Sequence, residues 1–220
     1  MSAPAPSMFT PEAQAAIVRL GLSKGRTNLE VFAQTLQELA TADSNVLAVT
    51  SDSRGSGKLG PYGQALPEPI VEVGIAEQNL VGITAGLALS GKKAFGVSPA
   101  CCLTARSLEQ IKNDICYSNA PTVVVGISAG VSYGALGSTH HSLYDFAALR
   151  AINNVTIIAP ADNAETRSAV KLAAAKRPVY LRFAKRPCMI CIPVIRIWQR
   201  GARSRCAPAT MWRLWRREKP

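Results

Sequence analysis

Residues 70–89 read IVEVGIAEQNLVGITAGLAL. Ile70 to Val73 form a short apolar run, Gly74 supplies a turn, and a helical pattern starts at about Ala76 and runs from Glu77 to Leu89. Strand, tight turn and helix follow one another within twenty residues. The helix is built from small apolar residues, with Gly82 and Gly86 four apart, a spacing that permits close packing, including against another subunit. The same rhythm extends in both directions. Apolar runs recur at Val46 to Val49, Ala94 to Val97, Thr122 to Ile127, Val155 to Ile158 and Val179 to Leu181. Helical patterns cover 28–42 (NLEVFAQTLQELATA), 103–117, 142–152 and 164–175. Strands that are apolar on both faces and alternate with helices predict an α/β fold, a parallel β-sheet with helices on both faces and right-handed crossovers.

In such sheets ligands bind beyond the carboxyl ends of the strands. Three loops at those ends stand out: TSDSRGSGKLG after the first run, EVGIAEQN after the second, and SAGVSYGALGSTHHS after the fourth. Glu77 falls in the first turn of its helix, where any acid complements the helix dipole. His140 and His141 are the only two histidines of the chain, adjacent and in a Gly-rich loop, a placement that favours chemistry over surface filling. Asp52 closes the first strand. Ser53, Ser56 and the glycines beside them suit a cap or an anion cradle, but the loop is not a G-x-x-x-x-G-K-[ST] phosphate loop.

The G-I-A-E-Q-N segment followed by a small-residue helix resembles the pyrimidine-binding domain of transketolases, closest to the C-terminal halves of split bacterial transketolases. The resemblance covers about residues 10–187. It implies the thiamine-diphosphate-binding fold, pyrimidine domain, and a place for each candidate residue. The family's glutamate falls on Glu77, whose carboxyl group meets a pyrimidine nitrogen of thiamine diphosphate and drives the imino tautomer that serves as the base. The family's Thr-His falls on Thr139 and His140, and His140 then faces the substrate oxygens with His141 beside it. Asp52 matches a position near the substrate entrance. The segment Ser98 to Gln110, SPACCLTARSLEQ, matches the wall against the pyrimidine ring, with Cys102, Leu103 and Arg106 as the cofactor-binding positions. Relatives carry Phe where Cys102 stands, and no aromatic residue occurs between Val97 and Tyr117, a loss of about 0.5–1.5 kcal/mol of stacking. Leu136 stands where many transketolases have an acid that reads a sugar hydroxyl. Arg182 and Lys185, in PVYLRFAKRP, are placed to meet a sugar phosphate or to form a solvated basic edge.

The resemblance further implies a diphosphate-binding N-terminal subunit as partner, in a dimer or heterotetramer. That partner holds magnesium and the diphosphate, and this chain holds no metal. The expected activity is transfer of a two-carbon ketol unit between sugar phosphates, with this chain inactive alone. The alternatives are a 1-deoxy-xylulose-5-phosphate synthase-like subunit, an oxoacid dehydrogenase β-like subunit, and a non-catalytic remnant that only binds the partner.

The 220 residues carry a net charge of +11. From Cys188 to Pro220 the chain has eight basic residues against Glu218, and this stretch also holds Trp198, Trp212 and Trp215 and three of the six cysteines. The body is therefore ordinary in charge, which argues against nucleic acid as its partner. The N-terminal sequence lacks a signal pattern, no run reaches 18 apolar residues, and Cys101, Cys102 and Cys116 read as buried thiols. The expectation is a cytoplasmic protein with no membrane partner. The tail fits a shifted reading frame: Pro208 to Glu218, written in GC-rich codons and read two bases later, gives GDDVALVATG, which resembles the first strand of the transketolase C-terminal domain. The expected organisation is a lead-in at 1–27, the pyrimidine-binding domain at 28–187, and a disordered accidental tail at 188–220.

Overall fold

The computed structural model describes residues 10–19, 23–66, 68–175, 177–185 and 187–190. Of the tail expected at 188–220, residues 191–220 lie outside them. A compact unit spans Gly25–Cys188. The remainder of the described chain includes helix α1 (Pro11–Arg19), which buries no side chain.

Strand β1 (Ser23–Thr27) leads into the unit and pairs with β8 (Pro187–Ile190) in a two-stranded sheet. Cys188, Met189 and Ile190, with which the expected tail begins, lie in β8. Thr27 then caps α2 (Asn28–Ala42): its hydroxyl accepts from Glu30 N and the Glu30 carboxylate accepts from Thr27 N, both at 3.3 Å. This reciprocal capping box satisfies two otherwise orphaned backbone donors.

Next come β2 (Val46–Thr50), α3 (Gly60–Ala65), β3 (Ile70–Glu72), α4 (Glu77–Leu89), β4 (Lys93–Pro99), α5 (Ala100–Arg106), α6 (Leu108–Gln110) and a π-helical segment, Ile111–Tyr117. After β5 (Val123–Ile127) lie two 3₁₀ turns, Gly134–Leu136 and Ser138–His140. They are followed by α7 (Asp145–Arg150), β6 (Thr156–Ile158), α8 (Asn163–Ala173) and β7 (Val179–Arg182). The main sheet has six strands in the order β3-β2-β4-β5-β7-β6, and every pairing is parallel.

Alternate residues of each strand feed two cores. Val46, Ala48, Phe95, Val97, Val123, Val125, Val179 and Leu181 pack with α2 and α8. Leu47, Val49, Ala94, Val124 and Tyr180 pack with α4, α5 and α7 on the opposite face. With both faces covered, the two-sided apolar runs are explained by the period of two.

Two helices expected from the sequence differ. The pattern at 103–117 is not one helix. At Ser107 the backbone leaves helical geometry (φ −114°, ψ 27°) and the hydroxyl bonds Leu103 O at 2.6 Å, competing with the backbone ladder. The turns then widen to π geometry over Ile111–Tyr117. The pattern at 142–152 yields only Asp145–Arg150, because Ser142 is taken by an antiparallel bridge to Gly130.

Candidate functional site

Glu77 is the first residue of α4, at the carboxyl edge of the sheet, and is only 3% exposed. Gly74, at φ +70°, makes the turn out of β3 that a side chain would strain. A buried carboxylate requires partners. The helix N-terminus favours it, and Arg106 at the end of α5 places Nη1 2.5 Å from Glu77 Oε2. That guanidinium is half-exposed, so the pair forms a rim: carboxylate inside, cation outside. The hydrogen bond to Glu77 raises Arg106 above its ordinary value.

Cys102 lies one helical turn before Arg106 and is half-buried, not buried as expected. Its Sγ is 3.6 Å from Cys101 Sγ. Burial pushes the Cys102 thiol up to about 11, with the Cys101 and Glu77 charges adding, so it presents a neutral surface at neutral pH. Leu103 does not share this surface. It is fully buried in the core beneath α5, because a residue one position further along a helix points about 100° away. Of the three positions expected to form the wall, Cys102 and Arg106 adjoin Glu77, and Leu103 lies in the core behind them.

The loop after β2 is held by Glu72, a residue with no distinguishing signal in the sequence. Glu72 Oε1 accepts from Asp52 N at 2.7 Å and from Gly74 N at 3.1 Å, and Glu72 Oε2 meets Arg54 Nε at 3.4 Å. Asp52 sits at φ +52° with its side chain exposed, in the left-handed region that Asp tolerates better than most residues. Ser51 Oγ donates to Ser98 Oγ at 2.8 Å, tying this loop to the end of β4.

His140 closes the second 3₁₀ turn, and that turn packs against α5. Because α5 also packs against α4, one helix carries both the Glu77 partner and the face that receives His140. Thr139 Oγ1 lies 2.9 Å from His140 Nδ1, a contact that fixes the role of one ring nitrogen. His141 is half-buried, and its Nε2 is sequestered without a hydrogen-bond partner.

Arg182 is not a solvated edge. Its Nε donates to Asp145 Oδ2 at 2.7 Å, Nη2 donates to Ser142 O at 3.3 Å, and the guanidinium stacks 4.6 Å from the centre of the Phe146 ring. Tyr180 also donates to Asp145 Oδ2, at 3.0 Å. Asp145 is fully buried, so Arg182 is committed to neutralising it and to fastening the His140 loop. Lys185 is exposed and lies 4.9 Å over the Tyr133 ring. Asp145 and Tyr133 were not anticipated; an acid opening a helix and an aromatic in a Gly-rich loop carry no distinguishing signal. A surface groove of about 480 Å³ between Phe146, Arg150 and Ile157 contains none of the candidate residues. Among the described residues no cluster of three or more His, Cys, Asp or Glu could hold a metal ion, and no helix is long and apolar enough to cross a membrane.

The "Transketolase, pyrimidine binding domain" family model matches residues 24–189. Over 155 residues the chain is 52% identical to a subunit of the apulose-4-phosphate transketolase of Phocaeicola vulgatus, covering 70% of this chain and 50% of the relative. It is 35% identical over 157 residues to the 1-deoxy-D-xylulose-5-phosphate synthase of Desulforudis audaxviator, covering 71% of this chain and 24% of the relative. Among solved structures, a split-gene transketolase described as an inactive beta4 tetramer superimposes with a TM-score of 0.66 at 31% identity, covering 82% of this chain and 56% of that one. The chain spans about half the length of the Phocaeicola vulgatus relative. With the six-stranded parallel sheet and the matched segment in agreement, the chain belongs to the transketolase family and carries its pyrimidine-binding domain.

Proposed function

We propose that this chain is the pyrimidine-binding subunit of a split, thiamine-diphosphate-dependent transketolase that moves a two-carbon ketol unit between sugar phosphates. The observation that carries this reading is Glu77: a carboxylate 3% exposed at the carboxyl edge of a parallel sheet, beside the neutral Cys102 thiol. The similarity to a chain of an apulose-4-phosphate transketolase supports a sugar phosphate as substrate.

The donor set fits an aminopyrimidine. Glu77 supplies the acid group for a ring nitrogen, and the half-buried Cys102 supplies an uncharged flank. When bound, thiamine diphosphate supplies the carbanion chemistry of ketol transfer. Glu77 holds or gives up a proton at Oε, and the low exposure around it strengthens that hydrogen bond. Arg106 keeps the carboxylate in place while the site is assembled. His140, turned by Thr139, presents Nε2 to substrate oxygens as a hydrogen-bonding or proton-moving group. Magnesium and the diphosphate are assigned to a partner chain with the N-terminal half of the enzyme, in a dimer or heterotetramer, and the cytoplasm is the proposed compartment.

The test is to co-express the chain with a diphosphate-domain subunit and titrate thiamine diphosphate by calorimetry. Saturable binding that needs the partner and is lost in Glu77→Ala supports the proposal. Binding unchanged in Glu77→Ala overturns it.

A further inference from the structure

Tyr133 touches two of the candidate residues, His140 and Lys185. It lies in the loop from Val131 to His141, whose ends are fastened by reciprocal hydrogen bonds between Gly130 and Ser142, at 3.1 and 2.9 Å. Inside the loop Gly134 and Gly137 adopt φ +52° and +72°, and the chain doubles back through its two 3₁₀ turns. This return brings the His140 ring to 5.4 Å from the Tyr133 ring, centre to centre, with the planes at 73°. Edge-to-face packing of this kind is the favoured geometry for aromatic pairs.

Lys185 arrives from the exit of β7. Its backbone N–H donates to Ser132 Oγ at 3.2 Å, and its ammonium sits over the face of the Tyr133 ring. A lysine on a flexible stem loses rotamer entropy when localised, and the electron-rich ring face offsets part of that cost. None of the ion pairs among the described residues engages Lys185, so its charge remains available to an anion. The phenol itself is half-buried, with the thiols of Cys101 and Cys102 and the hydroxyls of Ser56 and Ser128 in its surroundings. Burial raises its pKa, so the ring is neutral across the physiological range.

We propose that Tyr133 is a positioning residue that joins His140 and Lys185 into one anion-reading face, with Lys185 taking the phosphate of a sugar phosphate while His140 faces its oxygens. The inference rests on the placement of His140 at the substrate side of the site. Its own content is that the Tyr133 ring sets both groups at once. Removing the ring therefore affects phosphate recognition as well as the His140 environment, whereas removing only the hydroxyl affects neither.

The experiment uses the full chain, with histidine labelled in it alone, assembled with the unlabelled diphosphate-domain subunit, and follows the imidazole resonances by NMR. The chain has two histidines, so His141→Gln assigns them. Ribose 5-phosphate is the probe and ribose its uncharged control. The wild-type His140 resonance shifts saturably with ribose 5-phosphate and not with ribose. Tyr133→Phe reproduces this. Tyr133→Leu moves the ligand-free His140 resonance through loss of the ring current and weakens the phosphate response about three-fold, the amount expected for an exposed cation–π contact. Lys185→Gln weakens the phosphate response and leaves the ligand-free resonance in place.

If wild-type His140 does not respond to ribose 5-phosphate, the substrate-side placement of His140 falls and this inference with it. If the wild type responds and Tyr133→Leu binds equally well, only the role of Tyr133 is overturned. A Tyr133→Leu chain that fails to fold in a thermal melt transfers the decision to Lys185→Gln, where undiminished binding overturns the proposal.

Discussion

Arg106 Nη1 lies 2.5 Å from Glu77 Oε2, across 29 residues of sequence, with the carboxylate buried and the guanidinium half in solvent. The asymmetry decides how the pair behaves. The arginine can leave toward water at modest cost, whereas the carboxylate has nowhere to go. Removing either member therefore has different consequences.

Arg106→Ala leaves Glu77 buried without its cation. The expected loss is about 1–3 kcal/mol of unfolding free energy, read from urea denaturation, and Arg106→Lys recovers part of it. Glu77→Gln costs less stability, because the amide needs no counter-charge and Arg106 is already partly solvated. The two variants thus separate stability from cofactor binding: Glu77→Gln abolishes the latter while unfolding close to wild type.

The Asp145 carboxylate is the hub for Tyr180 and Arg182. Asp145→Ala strands a cation that is mostly buried and leaves a buried phenol without its acceptor. A destabilisation of about 3 kcal/mol is expected, with faster proteolysis of the 128–142 loop, because Arg182 also holds Ser142 O. Normal stability in this variant would refute the hub assignment.

Gly126 on β5 faces the Tyr180 ring. A Cβ added there would overlap the Tyr180 hydroxyl and ring carbons. The phenol cannot swing away without giving up Asp145, so Gly126→Ala costs about 2–3 kcal/mol, toward the upper range for overpacking. The double variant Gly126→Ala, Tyr180→Phe recovers only part of this, since the ring carbons also clash; urea midpoints of the three chains provide the check.

Cys102 tests the neutral flank proposed for the cofactor. Its thiol is raised from 9.0 to about 11, which lowers the thiolate fraction at about pH 8 by about a hundredfold. Iodoacetamide is expected to modify Cys102 in the folded chain about a hundredfold more slowly than in urea, with the folded rate rising with pH toward 11. A folded rate equal to the unfolded one would remove the argument that this wall is uncharged.

Alkaline pH gives a sign-defined test of the core. Tyr62 is buried, donates to Pro69 O at 3.3 Å, and is raised from 10.0 to about 12 by burial. A phenol raised on folding contributes stability that is complete below pH 10 and is lost as pH climbs toward 12. Urea midpoints are expected to fall across that window, and Tyr62→Phe to flatten part of the fall.

Much of the architecture was legible because its signals are local. Apolar runs of strand length, Gly74 at the turn and the helix from Glu77 to Leu89 each depend on neighbours within a few residues. The amino-acid sequence by itself determined the alternation of strands and helices, hence a parallel sheet covered on both faces. It also determined that Glu77 would open a helix at a strand's carboxyl end. Where a local competitor entered, as the Ser107 hydroxyl did against the backbone of α5, the helical pattern overran the true element.

Only the tertiary structure decided which side chains meet. Arg106 reaches Glu77, Leu103 turns into the core while Cys102 stays at the surface, Glu72 ties two loops together, and Arg182 closes on Asp145. These outcomes depend on strand order, on helix rotation about its own axis and on where α5 crosses α4. Each is set by packing between segments far apart in sequence, where a turn of about 100° per residue separates a wall position from a buried one.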